Sequence, residues 1–220
     1  REATAADLKW LADPAEEPEP FGDGGTKMAW NTFNVVSIYP NGNPVMSDVN
    51  QRWVGDCCAC AVIASMAYLY PRFVKHIIKD NMDKTYTVTM YDPKGKQISV
   101  GVGGDYFIGN SGDLGALGGR NKEVTWATIL EKAMIKWNQI YQGSSNVGGI
   151  GTEYVSAIFT GDGESVGFGA NALIAEDLQR AVEVSLKQGR LVIGGFTRSG
   201  EQVDQNWQTT SGHAFTFILP

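Results

Sequence analysis

The hydrophobic pattern changes period along the chain, and the changes mark its elements. Residues 1–34 are polar, with Pro14, Pro18 and Pro20 set among acids; they predict a short helix near Ala3–Leu11 and extended chain after it. Val35–Arg52 reads as a strand followed by turns, which Pro40, Asn41, Gly42, Asn43 and Pro44 mark. The longest apolar run, CCACAVIASMAYLYPRFVKHII, extends from Cys57 to Ile78 and predicts a buried helix that Pro71 ends or kinks. The period then shortens. Tyr86–Asp92 and Gln97–Val102 are rich in β-branched and aromatic residues and flank Pro93, Lys94 and Gly95, which is the pattern of a hairpin.

A Gly-rich stretch over Gly101–Gly119 reads as loop. Helical spacing returns in Thr125–Ile140, with apolar residues at 126, 129, 130, 133, 134 and 137. Residues 143–169 read as loop with a turn of helix near Thr152–Phe159. Ala175–Gln188 predicts another helix, closed by Gly189. Leu191–Thr197 and His213–Leu219 predict strands. Helices lead and strands follow, so the expected fold is α+β: a helical front lobe, an antiparallel β back lobe and a cleft between them. The expected division is an N-terminal extension or propeptide-like lead-in over 1–40, a helical lobe over 41–145 and a β-rich lobe over 146–220.

Composition adds exclusions. The 220 residues are 43% hydrophobic and 19% charged, enough for a real core. A net charge of −6 argues against nucleic acid as a partner, because phosphate binding needs a basic surface. No apolar run approaches the roughly 20 residues of a membrane span. The three cysteines, Cys57, Cys58 and Cys60, fall within four positions and cannot form a disulfide framework. A zinc site would want a second ligand cluster, and the only histidines are His76 and His213. The simpler expectation is one reactive thiol beside two buried ones.

Those cysteines are where the candidate chemistry lies. A thiol attacks a carbonyl only as thiolate, and a helix N-terminus and a neighbouring imidazolium each favour that form. Cys57 follows Gly55 and Asp56 at the start of the apolar helix. His213 opens a strand after a polar loop, with the small residues Gly212 and Ala214 leaving room around its ring. Gln51 stands six residues before Cys57, near enough to loop back and present its amide to an oxyanion beside the Cys57 backbone N–H. His76 reads as an ordinary histidine of an amphipathic segment.

These residues resemble the calpain family of papain-fold cysteine endopeptidases. The stretch from Gln51 through Gly55 and Asp56 to Cys57 is similar to the family's Q-G-x-x-G-D-C motif. WATILEKA over Trp126–Ala133 is similar to its W-x-x-L-L-E-K-A helix, and Val100–Ile108 stands where calpains carry a strand. Asn146–Gly149 and Phe159, Thr160 and Gly161 resemble its Ser-Gly-Gly and Phe-Thr-Gly-Gly, and Gly212-His213-Ala214-Phe215 matches its histidine strand. The resemblance covers roughly Asn41 to the end. It implies Cys57 as nucleophile, His213 as general base and Gln51 as oxyanion donor. It also implies protein or peptide substrates that lie along Gly148, Gly149 and Gly212.

The resemblance further implies a Ca²⁺ site, with Asp48 and Glu123 as its acidic ligands. The secreted bacterial thiol proteases are the nearest type, so a secreted location is favoured over a cytoplasmic one. Two departures stand out. Cys58 replaces the Trp that usually follows the nucleophile. The family's orienting Asn belongs to a motif beyond the histidine, while the sequence runs only to Pro220, so that residue is expected from a C-terminal segment or a second chain. The alternative reading is a catalytically impaired calpain-like domain that binds peptides or a protein partner.

Overall fold

A computed structural model describes residues 1–20, 28–109, 111–167, 169, 172–196, 202–204, 207–208 and 212–219. Helix α1 (Ala5–Ala12) opens with a capping box between Thr4 and Asp7. Strand β1 (Ala29–Thr32) follows, then a 3₁₀ turn at Met46–Asp48. Helices α2 (Cys57–Leu69) and α3 (Pro71–Ile77) meet at an angle of 114°. Pro71 is the first residue of α3, where a missing N–H costs nothing. Strands β2 (Ile78–Asp80), β3 (Tyr86–Tyr91) and β4 (Gln97–Val102) form an antiparallel sheet in the order β2-β3-β4. β5 (Asp105–Ile108) pairs with β1. Helices α4 (Trp126–Gln142), α5 (Thr152–Thr160) and α6 (Ala175–Lys187) come next. The chain then forms two antiparallel ribbons, β6 (Ile193–Phe196) with β9 (His213–Thr216) and β7 (Gln202–Asp204) with β8 (Trp207–Gln208).

The α+β class and the helical front are therefore observed. Two readings are corrected. The expected strand within Val35–Arg52 does not form. Pro40 and Pro44 remove ladder donors, and local turns take up other backbone groups, as in Gly42 N–H to Tyr39 O and Asp48 N–H to Val45 O. The Gly-rich loop is shorter than expected at its start, since β4 runs to Val102 and Asp105–Ile108 is the strand β5. Strand β5 holds because Trp30 of β1 stacks on Phe107 at 3.8 Å and Thr32 Oγ1 donates to Asp105 at 2.6 Å. Thr197, the expected end of a back-lobe strand, lies outside the described residues.

Helix α4 runs through the centre, and nearly all its residues are buried. Trp126, Ile129, Leu130, Ala133, Met134 and Trp137 supply the periodic apolar face. The remaining faces carry polar side chains that are also buried, so each needs a partner. Lys132 pairs with Glu17 at 2.6 Å, donates to the carbonyls of Gly103 and Asp105, and lies over the rings of Trp30 and Tyr106. Lys136 donates to the carbonyls of Asp13 and Gly101 at 2.8 Å each and sits over Trp10. Burial lowers both lysines, Lys136 to about 8. Residues 10–17 are thus tied to the central helix, and Leu11 enters the core.

The Lys132 side chain is only 3% exposed, so removing its carboxylate partner leaves a nearly buried cation. Glu17→Ala is expected to lower the free energy of unfolding by about 2–3 kcal/mol, less than a fully uncompensated buried charge because two carbonyls and two rings remain. Urea unfolding at neutral pH measures it; an unchanged midpoint would mean that the N-terminal segment does not hold α4.

Candidate active site

The start of α2 is placed by the loop before it, and that loop is braced by the Gly-rich segment. Asn50 and Gly118 exchange backbone hydrogen bonds at 3.0 and 3.3 Å, and Trp53 N–H donates to Gly115 O at 3.1 Å. The Trp53 indole covers Gly109 so closely that a Cβ there would collide with it, and a Cβ at Gly115 would press on the Gly109 backbone. Arg52 Nη2 donates to the Gly119 carbonyl at 2.5 Å. The Gly-rich segment is in turn held on α4: Leu117 N–H donates to Glu131 Oε2 at 2.9 Å, and Thr128 Oγ1 donates to Leu117 O at 2.5 Å.

Cys57 begins α2 and is buried. Its thiol donates to the Gly212 carbonyl at 3.6 Å. Gly212 directly precedes His213, the first residue of β9, and β9 packs against α2. Gly212 has φ +66°, a left-handed conformation that favours glycine. That conformation starts the strand and accompanies the carbonyl's approach to the thiol. Its N–H donates to Phe196 O at 3.0 Å, which fixes it to β6. The His213 side chain is exposed beside this contact. The thiol and the histidine strand therefore meet where the two lobes join.

Other expected residues divide. Gly148 belongs to this neighbourhood, because a Cβ there would stand 3.8 Å from the Gly55 carbonyl oxygen; its N–H donates to Asn146 Oδ1 at 2.8 Å. Gly149 adopts φ +73° beside it. Gln51 lies in the right loop, but its amide is turned inward, donating to Val54 O at 2.9 Å beside the Asp56 carboxyl. In this conformation it braces the loop. The expectation of one reactive thiol beside two buried ones is corrected, since Cys57 is buried and Cys58 and Cys60 are partly exposed. Burial and the neighbouring Cys57 push the Cys58 thiol up to about 11; burial beside Asp56 raises Cys60 further. His76 is exposed on α3, away from these residues.

Asp48 and Glu123 were expected to hold Ca²⁺. Asp48 is 2% exposed, and both its carboxylate oxygens are occupied: Oδ1 accepts from Asn41 Nδ2 at 2.8 Å, and Oδ2 accepts from Val45 N–H at 3.2 Å and Trp126 Nε1 at 2.7 Å. Glu123 leaves Oε2 buried without a partner, next to Gly119. Ca²⁺ takes six to eight oxygen ligands. No group of three acidic, His or Cys side chains among the described residues is arranged to hold a metal. Asp48 thus joins the turn before Gln51 to the start of α4, and as arranged these residues do not fit a cation cage.

Sequence reasoning passed over Asp56 and Glu131, which come together beside the first turn of α2. Asp56 occupies the N-cap position of α2 yet makes no side-chain cap. Its carboxyl is buried, accepts from Cys60 Sγ at 3.5 Å and faces Glu131 of α4 within hydrogen-bonding reach. Burial raises both acids above the ordinary carboxylate range, and for Glu131 the neighbouring Asp56 adds to it. An acid next to Leu130 on an otherwise apolar helical face was the available signal.

The model of the family described as calpain family cysteine protease matches residues 30–219 of the chain. Among curated proteins none matches it. No single helix among the described residues is long and apolar enough to cross a membrane.

Asp48→Asn places an amide N–H₂ among three N–H donors. We expect it to cost about 1.5–3 kcal/mol of stability, the range for hydrogen bonds to a charged group. The loss should be equal in chelator and in millimolar Ca²⁺. A loss in thermal or urea unfolding that appears only with Ca²⁺ would make Asp48 a cation ligand instead.

Proposed function

The chain belongs to the calpain family of cysteine proteases, and we propose that it is an endopeptidase in which Cys57 attacks the peptide carbonyl and His213 moves the protons. The observation that carries this reading is the approach of the Cys57 thiol to the Gly212 carbonyl, 3.6 Å away, immediately before His213. It sets the start of the helix that carries Cys57 against the residue just before His213 on β9. Gly148 stands near the Gly55 carbonyl, and in this reading Gly148 and Gly149 line the path of an extended peptide backbone.

In this reading the thiol turns from the Gly212 carbonyl to the His213 ring and gives up its proton there. The thiolate attacks the carbonyl carbon of the scissile bond. Negative charge develops on the carbonyl oxygen at the N-terminal end of α2, where the Cys57 backbone N–H and the helix dipole favour it. His213 then protonates the departing amine, and a thioester remains on Cys57. Water attacks the thioester with His213 as base, releasing the acid and restoring the thiol. The inward-turned Gln51 amide serves chiefly to hold the loop; the backbone N–H is the oxyanion donor. An orienting group for His213 would come from a C-terminal segment or a second chain.

The test is hydrolysis of a fluorogenic peptide and of an unfolded protein. Cys57→Ala should abolish cleavage, and His213→Ala should lower kcat/KM by about 10²–10⁴-fold, the usual contribution of general acid–base catalysis. Cys58→Ser should keep cleavage close to the wild-type rate. Cleavage that survives Cys57→Ala would end the proposal. A chain that binds peptides tightly but cleaves none would support the impaired-domain reading.

A further inference from the structure

Two buried carboxyl oxygens, Asp56 Oδ2 and Glu131 Oε1, have no hydrogen-bond partner, although each belongs to a group whose other oxygen is satisfied. Asp56 Oδ1 accepts from Cys60, and Glu131 Oε2 accepts from the Leu117 N–H. The two acids face each other within hydrogen-bonding reach, and both are fully enclosed. Two carboxylates cannot both stay ionised in such a place, because like charges at contact and the loss of water each oppose it. One proton between the orphaned oxygens satisfies both.

We propose that Glu131 carries this proton on Oε1 and donates it to Asp56 Oδ2, so that a single shared proton fixes the first turn of α2 and makes Glu131 a positioning residue for Cys57. The proposal rests on the reading of Cys57 as nucleophile. The bond leaves Asp56 as a single anion at the N-terminal end of α2, where the helix dipole favours negative charge. It also joins α4 to the Gly-rich segment through Leu117 and to the nucleophile loop through Asp56. The groups that bear on the pair are Cys58 and Cys60 of α2, Cys57 through Cys60, the neutral Gln51 amide beside it, and the Leu117 N–H. The cations of α4 do not serve it: Lys132 and Lys136 are bonded to Glu17, Gly103, Asp105, Asp13 and Gly101.

The folded chain binds this proton at a pH where the unfolded chain has lost it. Stability therefore falls as pH rises above the ordinary carboxyl range, and the fall ends once the folded pair has ionised. Loss of the proton would put two negative charges beside the first turn of α2 and loosen it. The side chain of glutamine is nearly isosteric with protonated glutamic acid here: its oxygen can accept from Leu117, and its amide can donate to Asp56 without titrating.

The experiment compares wild type, Glu131→Gln and Glu131→Ala in three readouts. Infrared difference spectra of wild type against Glu131→Gln should show a protonated-carboxyl band at neutral pH that the variant lacks. The rate of Cys57 alkylation per thiolate should fall on the alkaline side in wild type by about tenfold, the equivalent of one pKa unit of interaction, and Glu131→Gln should lack that fall. The melting temperature of Glu131→Gln should gain on wild type as pH rises, while Glu131→Ala loses both reactivity and stability at every pH. Identical alkaline limbs in wild type and Glu131→Gln would overturn the positioning role. If Glu131→Gln fails to fold, wild type alone decides: absence of a protonated-carboxyl band at neutral pH would overturn the proposal. The band does not depend on which cysteine reacts, so its failure is distinguishable from a failure of the nucleophile assignment.

Discussion

A central helix that carries polar side chains into the core must find partners for most of them. Helix α4 imposes that condition on the front lobe. Its Trp126 indole N–H is met by Asp48, Thr128 by Leu117, Lys132 by Glu17, Lys136 by the carbonyls of Asp13 and Gly101, and Asn138 by those of Ser144 and Asn146. An unmet group of this kind costs on the order of 1–3 kcal/mol, more if charged. The partners lie on the N-terminal segment, on loops, on the Met46–Asp48 turn and at the end of β4, not on other α-helices. The requirement to satisfy α4 therefore shapes the loops that have no regular structure of their own.

The nucleophile loop inherits its shape from this arrangement. Asp48 fixes the turn before Gln51, the Gly-rich segment fixes residues 50–53, and Glu131 reaches the residue beside Cys57. Helix α2 then works as a divider. Its buried face, with Ala59, Val62, Ile63 and Met66, belongs to the front core. Strand β9 packs on it from the back lobe, and Tyr68 and Tyr70 donate to the carbonyls of Leu219 and Gly189. The contact of the Cys57 thiol with Gly212 lies at the end of this seam. The hydrogen bonds from Tyr68 on α2 and Tyr70 just after it tie the helix to the later part of the chain.

Elements with a strong local signal were legible in the sequence. The spacing of Trp126, Ile129, Leu130 and Ala133 marks α4, Pro71 marks the break between α2 and α3, and Pro93 to Gly95 marks the β3–β4 turn. Features that depend on distant partners were not. Strands β1 and β5 are four residues each and far apart in sequence, and contacts between them such as the stacking of Trp30 on Phe107 hold them as a pair. Asp48 was expected as a Ca²⁺ ligand, and nothing near it in the sequence announces its bond to Trp126, 78 positions away. Cys57, Gly212 and Gly148 were legible through their motifs, and the structure brings them to one place. Asp56 and Glu131 were not, because nothing local says that two acids so far apart along the chain share one buried space.

The account depends on which of three clustered thiols does the chemistry. Cys58 is partly exposed yet pushed up to about 11, and Cys60 is committed to Asp56. The most direct measurement treats the folded chain at neutral pH with a peptidyl epoxide, which alkylates an activated thiol, and locates the adduct by peptide mass mapping. The account predicts one adduct per chain, on Cys57, with its rate strongly reduced in His213→Ala. An adduct on Cys58 or Cys60, or alkylation of Cys57 no faster than that of free cysteine, would contradict it.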